Sequence, residues 1–155
     1  MSRDMDWTLE LVVVPVSDVD RAKAFYVDQC GFELLVDSGD SGGSAFRVVQ
    51  LVPPGSACAI AIGTGISTMP PGSLHGLHLC VRDIVQGRDQ LLAGGVEVGE
   101  PFHFGATGQT PGLHPARESY GSFAAFQDPD GNTWLLQEVK RDWKLIEVKL
   151  EDVAA

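Results

Sequence analysis

The sequence predicts an α+β fold made of two tandem βαβββ modules, and three observations lead to that fold class. One short pattern occurs twice, as VSDVD at residues 16–20 and as VRDIV at residues 81–85. In both copies an apolar run precedes the Asp, an amphipathic stretch follows it, and a glycine ends that stretch. The length of 155 residues suits one domain or two small modules that share a core. The two copies begin 65 residues apart, and a repeat of this period indicates one supersecondary unit used twice. We therefore expect paired half-barrel sheets around a central cleft.

The first module is predicted over about 8–63. Residues Thr8 to Val16 are rich in β-branched side chains and predict a strand. Ser17 or Asp18 then begins a helix, because a short oxygen-bearing side chain accepts the free N–H groups of the first turn. Gly31 ends this helix. Three further strands are predicted over 32–36, 45–52 and 57–62, and a Gly/Pro-rich linker follows at 64–73.

The second module, over about 74–139, repeats the order. It has a strand at 74–81, a helix at 83–93 and strands at 96–104, 122–127 and 133–139. The turn DPDG at 128–131 joins the last two strands, since Pro fixes φ and Gly takes positive φ. This copy is about thirteen residues longer than the first within 105–120, so that this segment is either a lid or a flexible tip. The C-terminal extension is 140–155, and 141–155 fits a helix or an edge strand equally.

Composition excludes several classes of function. The formal net charge is −10 and no stretch concentrates Lys and Arg, which disfavours nucleic-acid binding. No apolar run approaches the ~20 residues of a membrane-spanning helix, and the N-terminus lacks a secretory signal. We therefore expect a cytoplasmic protein with no membrane partner.

Two segments, VPVSDVDRAKAFYVDQCGFELL at 14–35 and SFAAFQDPDGNTWLLQEV at 122–139, resemble the vicinal oxygen chelate (VOC) superfamily. This superfamily includes glyoxalase I, extradiol dioxygenases and bleomycin-resistance proteins, and the resemblance implies a single VOC domain over 1–155. In metal-using members, a ligand lies seven residues before the Asp that begins each helix, and a Glu lies four residues after the Gly of DPDG. The corresponding residues here are Leu11, Gly76 and Leu135. None of them offers an imidazole, thiolate or carboxylate, so we predict no metal and no cofactor.

Strand alternation from these positions predicts which side chains line the cleft. Glu10 and Glu138 point to the opposite sheet face and are expected to be solvated or ion-paired. His78 shares a face with Gly76 and is the candidate catalytic residue, while His75 faces away. The predicted ligand-binding residues on the strands are mostly apolar, namely Leu11, Val13, Gly76, His78, Cys80, Leu135 and Gln137. Four polar residues are expected to close over them, namely His103, His114, Arg117 and Tyr120.

Three functions are compatible with this cleft. The first is a metal-free protein that binds a small, largely apolar organic molecule, as the resemblance to bleomycin-resistance proteins implies. The second is a superfamily enzyme of lyase, isomerase or dioxygenase type. Such an enzyme would be metal-free, with His78 or a lid histidine as the acid/base, or it would depend on a metal held by non-standard ligands. The third is a non-catalytic subunit of a larger assembly. The resemblance also implies a homodimer.

Overall fold

A computed structural model describes residues 4–39 and 46–140. The predicted order of elements is present in the first module, and the second module has one strand more than predicted. The strands are β1 (Leu11–Val13), β2 (Glu33–Gly39), β3 (Arg47–Val52), β4 (Ala59–Thr64), β5 (Leu77–Val81), β6 (Phe102–Gly105), β7 (Gly108–Pro111), β8 (Phe123–Gln127) and β9 (Thr133–Glu138). The helices are α1 (Val19–Ala24), which continues as a π-helical segment (Phe25–Gln29), and α2 (Ile84–Ala93). None of the helices in the described ranges is long and apolar enough to cross a membrane.

The strands form two mixed sheets, which confirms the fold class. Sheet A has the order β1-β4-β3-β2, and sheet B has the order β5-β9-β8-β6-β7. In each sheet the first strand of the module pairs in parallel with the last one, while the other pairs are antiparallel. The repeat in the sequence therefore corresponds to a repeated strand arrangement, and neither sheet closes into a barrel.

Both helices begin where the repeated Asp predicts. Asp18 accepts a hydrogen bond from the backbone N of Arg21 at 3.0 Å, and Asp83 accepts from the backbone N of Val85 and Gln86 at 3.0 and 3.1 Å. Each cap satisfies N–H groups that a first helical turn leaves free, which stabilises the helix by about 1 kcal/mol. These two acids have structural roles.

One apolar core joins the modules. α1 packs on β4, and α2 packs on β8 and β9. The Tyr26 ring, on the π-helical segment, lies 5.8 Å from that of Trp134 on β9, which in turn stacks on Phe126 at 6.0 Å. The Tyr26 hydroxyl also donates to the carboxylate of Asp128 at 2.8 Å, although 102 residues separate the two. The helix-facing sides of both sheets are thus fixed relative to each other.

The predicted boundaries were wrong at three places in the described chain. The first strand is only 11–13, because β4, its neighbour, begins at Ala59 opposite Leu11, and its last contact towards the N-terminus is the bond from Ala59 N to the Glu10 carbonyl at 3.0 Å. The fifth begins at Leu77 instead of Leu74, because Gly76 has φ +84° and interrupts the extended backbone. The predicted strand 96–104 is instead a single bridge at Val98 followed by the β6–β7 hairpin. The predicted extension at 141–155 lies outside the described residues.

Candidate functional site

The side of sheet B that faces away from the helices carries four of the eleven predicted ligand-binding residues. In the register of β5 and β9, His78 is opposite Leu135 and Cys80 is opposite Gln137. Burial alternates along β9, where Trp134 and Leu136 are buried and Leu135 and Gln137 are half-buried. The predicted alternation is therefore present. We call the side formed by His78, Cys80, Leu135, Gln137 and Phe123 the open face.

Aromatic rings form the apolar part of the open face. The Phe123 ring stacks on Phe102 with centroids 5.6 Å apart and meets Phe104 edge-on at 5.4 Å. The His78 imidazole approaches the same Phe123 ring edge-on at 6.3 Å. Phe104 is 60% exposed, so the group presents aromatic surface to solvent. Such an arrangement can stack against a flat apolar molecule.

These phenylalanines were not among the ligand-binding residues predicted from the sequence. The alternation of Phe102, His103 and Phe104 was a usable signal, because it places both rings on one side of a strand. The predicted strand lining instead followed the three strands that carry the superfamily's ligand positions, namely the first strand of each module and the last strand of the second. The antiparallel pairing of Phe102 with Phe123 brings the rings together, and that pairing depends on the β6–β7 hairpin.

Polar groups on the open face form a short hydrogen-bonded series. His78 Nδ1 lies 2.8 Å from Gln137 Oε1, and Gln137 Nε2 donates to the backbone carbonyl of Tyr120 at 3.2 Å. Tyr120 has φ 72°, and its backbone N donates to the Glu138 carbonyl at 2.7 Å. The loop before β8 thus fixes the Gln137 amide, which contacts the imidazole.

The three positions where metal-using members carry ligands do not fit a divalent metal. Leu11 and Leu135 have aliphatic side chains, and Gly76 has none, with its backbone N bonded to the side chain and carbonyl of Thr133. Within residues 4–39 and 46–140, no three His, Cys, Asp or Glu side chains come close enough to hold an ion. No chemistry is assigned to a metal here.

The carboxylate of Glu138, three residues after Leu135 on β9, cannot take the place of the missing metal ligand. It points to the helix-facing side and is fully buried, as its place in the alternation of β9 predicts. Arg117 Nε donates to Glu138 Oε1 at 2.9 Å, and the backbone N of Ile84 donates to Oε2 at 3.0 Å. The Arg117 guanidinium, and after it the Ile84 N–H, hold the pKa of Glu138 below its usual range despite burial. Glu138 is therefore an ion-paired structural residue, as predicted.

The same contacts fix residues 112–121, which include the second half of the segment 105–120 that the sequence predicted as either a lid or a flexible tip. Arg117 is bound to Glu138, the backbone N of His114 donates to Ser122 Oγ at 3.0 Å, and the backbone N of Lys140 donates to Ser119 Oγ at 2.7 Å. His103 Nδ1 bonds the carbonyl of Gly112 at 2.8 Å. These links span both ends of residues 112–121, so the structure favours a fixed wall over a mobile lid.

The remaining predicted residues fall into separate groups. Leu11 and Val13 lie half-buried on sheet A, next to β4. His103 and His114 lie together, with ring centroids 6.1 Å apart, and alternation along β6 turns His103 away from the phenylalanines. An open cleft of about 870 Å³ between residues 95–99 and the ends of β8 and β9 contains none of the predicted ligand-binding residues. Of those residues, the structure places His78, Cys80, Leu135 and Gln137 on one face.

Comparison with known proteins agrees with the paired modules. The family model for the Glyoxalase/Bleomycin resistance protein/Dioxygenase superfamily matches residues 8–136. The chain belongs to this superfamily. Comparison with curated proteins gives no match.

Solved structures resemble most of the chain. TnmS3, described as an antibiotic binding protein from Streptomyces sp. CB03234, is 34% identical, with a TM-score of 0.67 over 89% of this chain and 99% of that one. A glyoxalase/bleomycin resistance protein from the same organism is 36% identical, with a TM-score of 0.64 over 84% of this chain and 100% of the other. A superfamily member from Sphaerobacter thermophilus DSM 20745 is 29% identical, with a TM-score of 0.63 over 86% and 98% of the two chains.

Proposed function

We propose that this superfamily member binds a small, largely apolar, planar organic molecule on the open face, without a metal. The observation that carries the proposal is the group of Phe102, Phe104 and Phe123, of which Phe104 is exposed, beside the hydrogen-bonded pair of His78 and Gln137. Small-molecule sites combine apolar surface with a few placed polar groups. The description of TnmS3 as an antibiotic binding protein, at 34% identity over almost its full length, supports a role in binding a small organic molecule.

The environment of His78 favours binding over acid/base catalysis. Its Nδ1 contacts the neutral amide of Gln137. In acid/base sites an imidazole that must take up a proton is commonly paired with a carboxylate that stabilises the imidazolium. None of the described carboxylates hydrogen-bonds to His78. A hydrogen-bonding role therefore suits this residue better than a proton-transfer role.

Metal analysis combined with a thermal-shift screen of planar aromatic compounds tests the proposal. We expect no stoichiometric zinc, iron, manganese or nickel after dialysis. A compound at a hundred times its Kd should stabilise the protein by about 2.7 kcal/mol, which raises the Tm by about 5–10 °C. About one metal ion per chain, lost on replacing His78, would contradict the metal-free site.

A pair of variants locates the binding surface. Leu135→Glu puts a carboxylate opposite His78 on the open face and should weaken binding of any compound that the screen finds, because a desolvated charge is costly. It should not create a metal site, since the carboxylate and His78 make only two ligands and even catalytic metal sites use three. Val85→Glu is the control, since this side chain is 43% exposed on α2. Unchanged affinity in Leu135→Glu would show that the compound binds elsewhere.

We further propose that the protein is a cytoplasmic homodimer. Large apolar side chains are exposed before β1, along β2 and on the open face, namely Met5, Trp7, Leu9, Leu34, Leu35 and Phe104. An exposed strand such as β2 otherwise favours aggregation, and a second copy would cover it. Light scattering at micromolar concentration should give about twice the chain mass of 16.6 kDa. A monomer would refute this. Deleting 141–155 then tests whether the C-terminal extension takes part.

A further inference from the structure

The open face contains a hydrogen-bond relay that fixes the tautomer of His78. A glutamine amide has one donor end and one acceptor end, and the partner of each end decides the orientation. The backbone carbonyl of Tyr120, which can only accept, lies 3.2 Å from the Gln137 amide, so the NH₂ end must face it. The amide oxygen therefore faces His78 at 2.8 Å.

This orientation requires the imidazole to donate. Because the oxygen of Gln137 is an acceptor, the proton of neutral His78 must lie on Nδ1. Nε2 then carries the lone pair and accepts hydrogen bonds. His78 is exposed, and within the described residues its hydrogen bond is through Nδ1, so Nε2 is available to a ligand that lies against Phe123.

We propose that Gln137 is a positioning residue that keeps His78 as a hydrogen-bond acceptor, and that the open face consequently selects aromatic ligands that carry an O–H or N–H donor. The inference rests on the proposed function for its ligand. The state of His78 itself does not depend on any ligand. The two parts can therefore fail separately.

Two other histidines serve as internal references for the tautomer. His103 Nδ1 bonds the Gly112 carbonyl at 2.8 Å, which requires a proton on Nδ1. His114 Nδ1 accepts from the backbone N of Ala116 at 3.1 Å, which places the proton on Nε2. These two histidines thus provide one reference for each neutral tautomer, and backbone groups fix both of them. Long-range ¹⁵N–¹H spectra distinguish the two patterns.

The first experiment measures the tautomer in the full chain at about pH 8.5, where an imidazole of ordinary pKa ~6.5 is neutral. His78 signals are assigned by their loss in His78→Gln. We expect the His103 pattern in the wild type and a mixed or reversed pattern in Gln137→Met, which removes the amide at similar length. Gln127→Met, at an exposed glutamine on β8, should change nothing. A wild-type His78 with the His114 pattern would overturn the proposal whether or not ligands bind.

The second experiment measures ligand preference with 2-naphthol and 2-methoxynaphthalene. The methyl ether is the more apolar of the two, so burial alone would favour it. One hydrogen bond to Nε2 should instead make 2-naphthol bind about five- to tenfold more tightly to the wild type. This preference should disappear in Gln137→Met and persist in Gln127→Met.

The outcomes separate the two claims. Equal or tighter binding of the ether to the wild type, with shifts at His78, would overturn the donor preference and leave the proposed function standing. If neither probe shifts the His78 or Phe123 signals, the proposed site for aromatic ligands is wrong and the ligand preference falls with it. A preference for 2-naphthol that persists in Gln137→Met would overturn the role of Gln137.

Discussion

The buried hydroxyl of Tyr26 provides the most quantitative test of how the two modules are joined. Tyr26 is 0% exposed and donates to Asp128 Oδ2 at 2.8 Å, while Trp134 Nε1 donates to its hydroxyl at 3.0 Å. Burial, and next the charge of Asp128, raise the pKa of Tyr26 far above its usual value, so the hydroxyl stays protonated. Tyr26→Phe removes one oxygen and leaves the ring in place.

The cost of this change follows from the two bonds. A hydrogen bond to a charged group contributes about 1.5–3 kcal/mol, and leaving a buried donor such as the Trp134 N–H without an acceptor costs about 1–3 kcal/mol. In Tyr26→Phe, Asp128 Oδ2 still accepts a hydrogen bond from Asn132 Nδ2 at 2.7 Å, so the carboxylate keeps a donor. We therefore expect a loss of about 3 kcal/mol, or a fall in Tm of about 6–12 °C for a chain of this size.

Urea denaturation of a double-mutant cycle checks the reasoning, at one fixed protein concentration because association changes apparent stability. In the Trp134→Phe background there is no indole N–H that could be left without an acceptor. Tyr26→Phe should therefore lower the free energy of unfolding by about 1 kcal/mol less in that background than in the wild type. A cost below about 1 kcal/mol in the wild type would refute the argument. So would equal costs in both backgrounds within about 0.5 kcal/mol.

Three further predictions concern other contacts. Arg47, and after it Lys23, lower the pKa of Asp37 to about 2. This carboxylate therefore stabilises the fold above its unfolded pKa of ~3.9 and loses that effect as pH falls through about 2. Asp37→Asn should lower the free energy of unfolding by about 1 kcal/mol at pH 7, as expected for a mostly screened pair, and urea titrations of the two proteins should converge near pH 2. A difference that persists there would contradict the pairing. Arg117→Met should increase hydrogen exchange across 112–121 while α1 stays protected, and unchanged exchange would show that the Glu138 contact does not hold the segment. Gly94→Ala should lower the free energy of unfolding by about 1–3 kcal/mol, because an added Cβ would meet the backbone carbonyl of Gln29. Gly108→Ala is the control for backbone strain, since a Cβ there has open space but φ is +104°. Equal losses of stability in the two variants would argue against the clash.

The sequence alone determined those features that depend on local chemistry. The repeated Asp predicted both helix starts, because a capping carboxylate needs only the N–H groups two or three residues ahead. Period-two alternation placed Leu135 and Gln137 opposite Glu138 on β9. The prediction that Leu11, Gly76 and Leu135 occupy the ligand positions came from counting along the sequence with the spacings that the resemblance to the superfamily implies.

Only the tertiary structure decided which distant groups meet. The β6–β7 hairpin was missed because its second strand, Gly108–Pro111, lacks an apolar alternation, and with it the contact of Phe102 and Phe104 on Phe123 was missed. His78 and Gln137 are 59 residues apart and become neighbours through parallel pairing, while the Tyr120 carbonyl that orients the amide depends on a loop with φ 72°. No periodicity encodes such contacts, since they arise when separate segments satisfy each other's polar groups in the folded state.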